Sequence, residues 1–260
     1  MLSLDQIKQF YPQSLQAYER FIVREYLQYK ILELIFESPF ANNLSFLGGT
    51  CLRIVHGNQR FSEDLDFDNF NLSIDDFTEI TKYVKVNLEK IGYQIEMRNI
   101  TAGAYHCYIK FPQILFDEGL SNHKEEKILI QLDTEAHDFE FTPDKPILNK
   151  FDVFTPINAT PKSLLLSQKF YAVLNRKRNK GRDFFDIVFL LGQNVSPDFT
   201  YLEQKVGIKT PENLKQAILE KCSTLNMKEM ADDVRPFLFE SKDEKKILLF
   251  SEYIKQHNLH

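Results

Sequence analysis

Two adjacent glycines followed by a threonine, Gly48-Gly49-Thr50, and two aspartates on alternate positions, Asp64 and Asp66, constrain this chain more than any other feature. The short apolar run Leu44–Leu47 suits a buried strand, the glycines permit a tight turn into Thr50, and a helix is expected from about Cys51. Over 62–67 the chain alternates, with Leu65 and Phe67 on one face and Asp64 and Asp66 on the other, which reads as a strand. Alternate strand residues have α-carbons roughly 6 to 7 Å apart and point the same way. Like charges that close are costly unless neutralised, and two divalent ions about 3.5 to 4 Å apart are the usual partner in phosphoryl and nucleotidyl transfer. An Asp-x-Asp alone more often marks the wet face of an edge strand. The glycine turn changes the odds, because its amides and hydroxyl can approach a triphosphate with no side chain in the way.

The rest of the chain supplies a setting for this constellation. Residues 4–36 carry apolar positions at helical spacing and read as one or two helices. A helix over 75–91 closed by Gly92, then strands over 94–100, 105–111 and 127–134, complete a mixed sheet with helices. A Pro-containing connection over 144–161 leads into a stretch that reads as helical to the end, with Thr160-Pro161 and Thr210-Pro211 as capped helix starts. The expectation is an α+β chain: residues 1–155 forming one domain with N-terminal helices, and 156–260 a helical domain.

Composition narrows the partners. The longest apolar runs are far below the roughly 20 residues a membrane helix needs, and the N-terminus lacks the pattern of a secretion signal, so a cytoplasmic protein is expected. Cys51, Cys107 and Cys222 are too widely spaced for a disulfide framework or a zinc site, and His56 and His106 read as packing or polar residues. The net charge of −5 excludes a general nucleic-acid coater and leaves any such contact to a local patch. One exists: residues 160–182 carry Lys162, Lys169, Arg176, Lys177, Arg178, Lys180 and Arg182 with no acid until Asp183. Such runs are often solvated faces, yet an RNA backbone would need these counter-charges.

The full run over 46–67, Phe-Leu-Gly-Gly-Thr-Cys-Leu-Arg-Ile-Val-His-Gly-Asn-Gln-Arg-Phe-Ser-Glu-Asp-Leu-Asp-Phe, strongly resembles the AbiEii/AbiGii toxin family of nucleotidyltransferases, of the polymerase-β-like superfamily. The resemblance covers residues 15 to 195, approximately. It implies a nucleoside triphosphate (NTP) substrate and Mg2+ or Mn2+ held by Asp64 and Asp66, with a third carboxylate from a later strand. Asp133 is the candidate, and Glu135 has the same parity. Gly48, Gly49, Thr50, Arg53 and Ser62 would lie at the nucleotide. The family also has a lysine in a helix followed by an Arg-Asp-x-x-Asp-like segment, here Lys169 and Arg182-Asp183-Phe-Phe-Asp186, which implies Lys169 at the phosphates and favours Asp183 over Asp186 as the functional acid. Lys169 sits within an apolar stripe of Leu165, Leu166, Ala172 and Val173, where a lysine needs an anion or must snorkel. A toxin with a cognate antitoxin, transferring a nucleotide to an RNA end such as that of tRNA, is the implied function. The rivals are an aminoglycoside-type small-molecule nucleotidyltransferase and a catalytically silent binding protein.

Overall fold

The computed structural model describes residues 1–101, 103–136 and 138–259. The fold is α+β, a mixed five-stranded sheet flanked by helices followed by a helical region. Two compact units emerge: residues 1–55 with 61–160, and residues 56–60 with 161–260.

The first unit runs α1 (Leu4–Lys8), α2 (Glu19–Glu37), β1 (Leu44–Leu47), α3 (Gly48–Ile54), β2 (Leu65–Asn69), α4 (Ile74–Lys90), β3 (Glu96–Ile100), β4 (Tyr105–Pro112), α5 (Ile114–Asp117), β5 (Lys127–Ala136), β6 (Ile147–Lys150) and β7 (Val153–Pro156). The sheet has the order β1-β2-β5-β4-β3, in which β2 and β5 are parallel and all other neighbours antiparallel. Period-2 alternation buries Leu65 and Phe67 of β2, Ile128, Ile130 and Leu132 of β5, and Cys107, Ile109 and Phe111 of β4. Helices α2 and α4 pack on each other and on the sheet. Phe67 lies 5.5 Å from Phe46 and 6.1 Å from Phe36, ring to ring, at the centre of this core.

Several boundaries differ from the sequence expectation for physical reasons. The helix expected from Cys51 starts at Gly48, so the glycines form its first turn. The strand expected over 62–67 begins only at Leu65, because the carbonyls of Ser62 and Glu63 accept from Gln28 Nε2 and have no sheet partner to serve. It then continues to Asn69. The connection expected over 144–161 contains the antiparallel pair β6 and β7. Thr160 does not cap a helix: α6 (Lys162–Asn175) has no side-chain cap, and the Thr160 hydroxyl instead meets Ser45 Oγ at 3.0 Å and Asp68 Oδ2 at 3.2 Å.

The second unit continues with α7 (Gly181–Leu191), α8 (Phe199–Val206), α9 (Pro211–Ser223), α10 (Met227–Val234), α11 (Lys245–Leu248) and α12 (Phe250–Gln256). Helix α9 starts as expected, with Thr210 Oγ1 accepting from Asn213 N at 3.2 Å and Pro211 in the first turn. Helix α7 packs against α6, α10 and α11. A Cβ at Gly181 would collide with the Met230 carbonyl, so glycine is what lets α7 begin against the α10 backbone. No helix among the described residues is long and apolar enough to cross a membrane.

Candidate active site

One face of the first unit's sheet is acidic by register. Asp66 stands opposite Asp133, and Asp68 opposite Glu135, across the parallel β2 and β5. Asp64 immediately precedes β2 on the same parity. The Gly-Gly-Thr segment locks onto this face at two points. Gly48 adopts φ +80°, and a Cβ there would overlap the Asp66 Oδ2 oxygen, so the Asp66 carboxylate occupies the space a side chain would take. The Thr50 hydroxyl donates to the Asp64 carbonyl, which ties the first turn of α3 to the residue entering β2.

Asp68 is the carboxylate that reading as far as Phe67 missed. It is 7% exposed and accepts from the Thr160 hydroxyl. The signal was present, since the alternation of 64 and 66 simply continues to 68. Asp133 is half-buried. His106 Nδ1 lies 2.6 Å from its Oδ1, and Gln131 Nε2 donates to both oxygens at 2.9 and 3.0 Å. The two histidines set aside in the sequence thus differ in kind: His106 holds a candidate carboxylate, whereas His56 belongs to the second unit. Glu135 is exposed.

The donor set fits a hard divalent cation. Asp64 and Asp66 offer carboxylate oxygens, the ligand type that magnesium and manganese prefer, and the missing Cβ at Gly48 leaves room for the Asp66 carboxylate itself. No group of three or more His, Cys, Asp or Glu among the described residues is arranged to hold a metal. A pair of carboxylates suits an ion that completes its shell with substrate phosphate and water.

Arg53 projects from α3 to Glu25 of α2, with Nε to Oε2 at 2.7 Å and Nη2 to Oε1 at 3.2 Å. Lys150 Nζ and the Tyr11 hydroxyl reach the same carboxylate at 2.7 and 2.8 Å. Burial alone would push the Glu25 carboxyl up; Arg53 and Lys150 outweigh it and hold it below its ordinary value. The Arg53 head is therefore committed to fastening α3 to α2. Ser62 is half-buried, and its carbonyl is held by Gln28.

In the second unit, Lys169 of α6 donates to Asp183 Oδ1 at 3.0 Å and pairs with Asp186 Oδ2 at 2.8 Å, both on α7. Burial would lower the lysine, but Asp186 and Asp183 together raise it above its ordinary value. The anion that the apolar stripe demanded is supplied by the protein itself. Asp183 also accepts from Arg176 at 2.8 Å. Arg176, Lys177, Arg178 and Lys180 lie on the connection between α6 and α7, all exposed, and the Arg182 guanidinium lies 4.6 Å from the centre of the Phe237 ring.

Comparison with known proteins identifies the family and the fold. The family described as "Nucleotidyl transferase AbiEii toxin, Type IV TA system" matches residues 30–248. Among solved structures, JHP933 from Helicobacter pylori is similar at TM-score 0.52 and 17% identity, with 91% of each chain covered. A candidate nucleotidyltransferase from H. pylori is similar at TM-score 0.51 and 16% identity, covering 90% of this chain and 93% of that one. At such identities the likeness shows the fold alone. No curated protein is similar enough to count as a match. The family match spans both the Gly48-to-Asp66 signature and the helices carrying Lys169 and Asp183, and on it the chain belongs to the AbiEii nucleotidyltransferase toxin family of type IV toxin–antitoxin systems.

Proposed function

We propose that this toxin-family nucleotidyltransferase moves a nucleoside monophosphate from an NTP to the terminal hydroxyl of an RNA, with tRNA as the foremost candidate. The acceptor oxygen attacks the α-phosphorus, the bond to the β-phosphate oxygen breaks, and pyrophosphate leaves. The observation that carries the reading is the fit of Gly48 against Asp66, which presents a carboxylate pair beside a floor without side chains. Asp64 and Asp66 would hold Mg2+ or Mn2+, which supplies positive charge for the phosphates when bound. Gly48, Gly49, Thr50 and Ser62 are the residues assigned to the phosphate side. Asp133, steadied by His106 and Gln131, is assigned as the third carboxylate of the metal site. Arg53, fastened to Glu25, acts through the placement of α3.

The exposed cations Lys177, Arg178 and Lys180 support an RNA acceptor over a small molecule, since an RNA backbone calls for such charges. A type IV family implies a cognate antitoxin, and a triphosphate substrate fits the cytoplasm.

The test is transfer from each of four α-labelled NTPs to total RNA, for wild type and for Asp64→Asn and Asp66→Asn. Label in RNA from wild type, lowered at least 100-fold in both variants with thermal stability retained, is the expected result. Label entering only a small aminoglycoside would move the chain to that class. No transfer to either acceptor, with no pyrophosphate released, would make it a silent binding protein.

A further inference from the structure

The short segment between α3 and β2 is held in a way that the signature itself does not explain. Residues 56–60 group with the helical unit, while Phe61 and everything up to Thr160 group with the sheet, so the chain crosses from one unit to the other just four residues before Asp64. Within the helical unit this segment is bound by side chain and backbone together. Arg60 is 1% exposed and forks onto Asp186, itself fully buried, with Nε to Oδ1 at 2.8 Å and Nη2 to Oδ2 at 2.7 Å. Asn58, also fully buried, donates to the same Asp186 Oδ1 at 2.7 Å. The Gln59 carbonyl accepts from Phe239 N, and Arg60 bridges to Leu238. Lys169 joins Asp186 to Asp183, and Arg176 closes the network at its exposed edge.

A bidentate guanidinium–carboxylate pair fixes direction as well as distance, which a single point charge does not. Beyond the crossing, the chain is clamped at once by the sheet unit: Phe61 stacks on Phe21 at 4.9 Å, Glu63 pairs with Arg24 at 2.9 Å, and Gln28 holds two carbonyls. The backbone therefore enters Asp64 with little freedom, provided that the Arg60 end is held.

We infer that Arg60 is a positioning residue for nucleotide transfer: its fork on Asp186, completed by Asn58 and Lys169, anchors the segment that delivers Asp64 to the site. The inference rests on the transfer reaction proposed above and gives Lys169 and Asp183 a supporting role in this anchor. Single removal of one partner leaves a buried charge uncompensated and can unfold the chain, whereas replacing both with apolar residues of similar size removes the fork and spares the fold. The experiment compares wild type, Arg60→Lys and the double variant Arg60→Met with Asp186→Met. Two readouts are taken, amide hydrogen exchange over 61–66 without substrate and steady-state transfer.

In the folded double variant, exchange over 61–66 is expected to rise at least tenfold while that of α6 and α7 stays within threefold. The KM for NTP is expected to rise at least fivefold, an effect that loss of folded protein cannot imitate, since it lowers only apparent kcat. Arg60→Lys, with charge but no fork, is expected to fall between the two. Unchanged exchange in the folded double variant, or an unchanged KM, overturns the inference and leaves the network as core. A wild type without transferase activity defeats the proposed function, and the exchange readout still decides whether Arg60 anchors the segment.

Discussion

Gly48 carries two demands at one position, a left-handed φ of +80° and the absence of any atom where Asp66 Oδ2 lies. An alanine would cost roughly 1 to 2 kcal/mol for the backbone conformation alone and would also displace a carboxylate that the proposed chemistry needs in place. Misplacement by about 1 Å can cost 100-fold in rate. Gly48→Ala is therefore expected to lower transfer at least 100-fold while shifting stability by only a few kcal/mol; near-normal turnover in a labelled-NTP assay would show that the fit of Gly48 against Asp66 is incidental. The glycines, Asp64 and Asp66 could be read from sequence because their requirement is local, set by φ and by strand parity. The partners of Arg53 and Arg60 could not. Glu25 lies 28 positions before Arg53, and Asp186 lies 126 positions after Arg60. Spacing alone does not say which acid a buried cation will meet.

The same contrast holds for elements. Strands β4 and β5 were legible because apolar residues recur at every second position, and α4 because Gly92 closes it; the capping box of Ser73 and Asp76, seen in the structure, opens the helix at Ile74, one residue before the expected start. Strands β6 and β7 were not. Each is four residues long, they lie among prolines, and they turn at Phe151 with φ +61°, so the segment carried connection signals without a period. The basic connection between α6 and α7 was visible as charge, but its internal division emerges only from structure. Arg176 is tied to Asp183, whereas Lys177, Arg178 and Lys180 extend into solvent. Replacing those three with Gln, and leaving Arg176, is expected to spare the fold. For single-stranded RNA it should flatten the dependence of log affinity on log salt by about 0.7 for each phosphate that the protein no longer neutralises, or about 2 in all. Binding titrations between low and physiological salt read this slope, and an unchanged slope would reduce the patch to a solvated surface.

For the molecule as a whole, pH separates contributions that a single stability measurement merges. The carboxyls of Glu25 and Asp186 are buried, but their cation partners hold them below ordinary values of 4.5 and 3.8. Folding then favours the ionised form, so their contribution is complete above those values and is lost only as pH falls further. Lys169 is raised, so its contribution is lost only as pH climbs past 10.5. His56 acts in a window of its own. Burial, helped by Lys162, lowers it from 6.5 to about 4, and its Nε2 has no hydrogen-bond partner among the described residues. The unfolded chain takes up this proton first, so stability is complete above 6.5 and declines as pH falls toward 4. His257 has the same sign but is less buried. Between pH 7.5 and 5.0 the His56 contribution amounts to about 2 kcal/mol. Urea unfolding at these two pH values is expected to show that loss in wild type and less than half of it in His56→Phe, with both proteins falling together below pH 4 as the carboxylate networks protonate. If His56→Phe keeps the full loss above pH 5, the acid sensitivity of this fold originates in groups other than this imidazole.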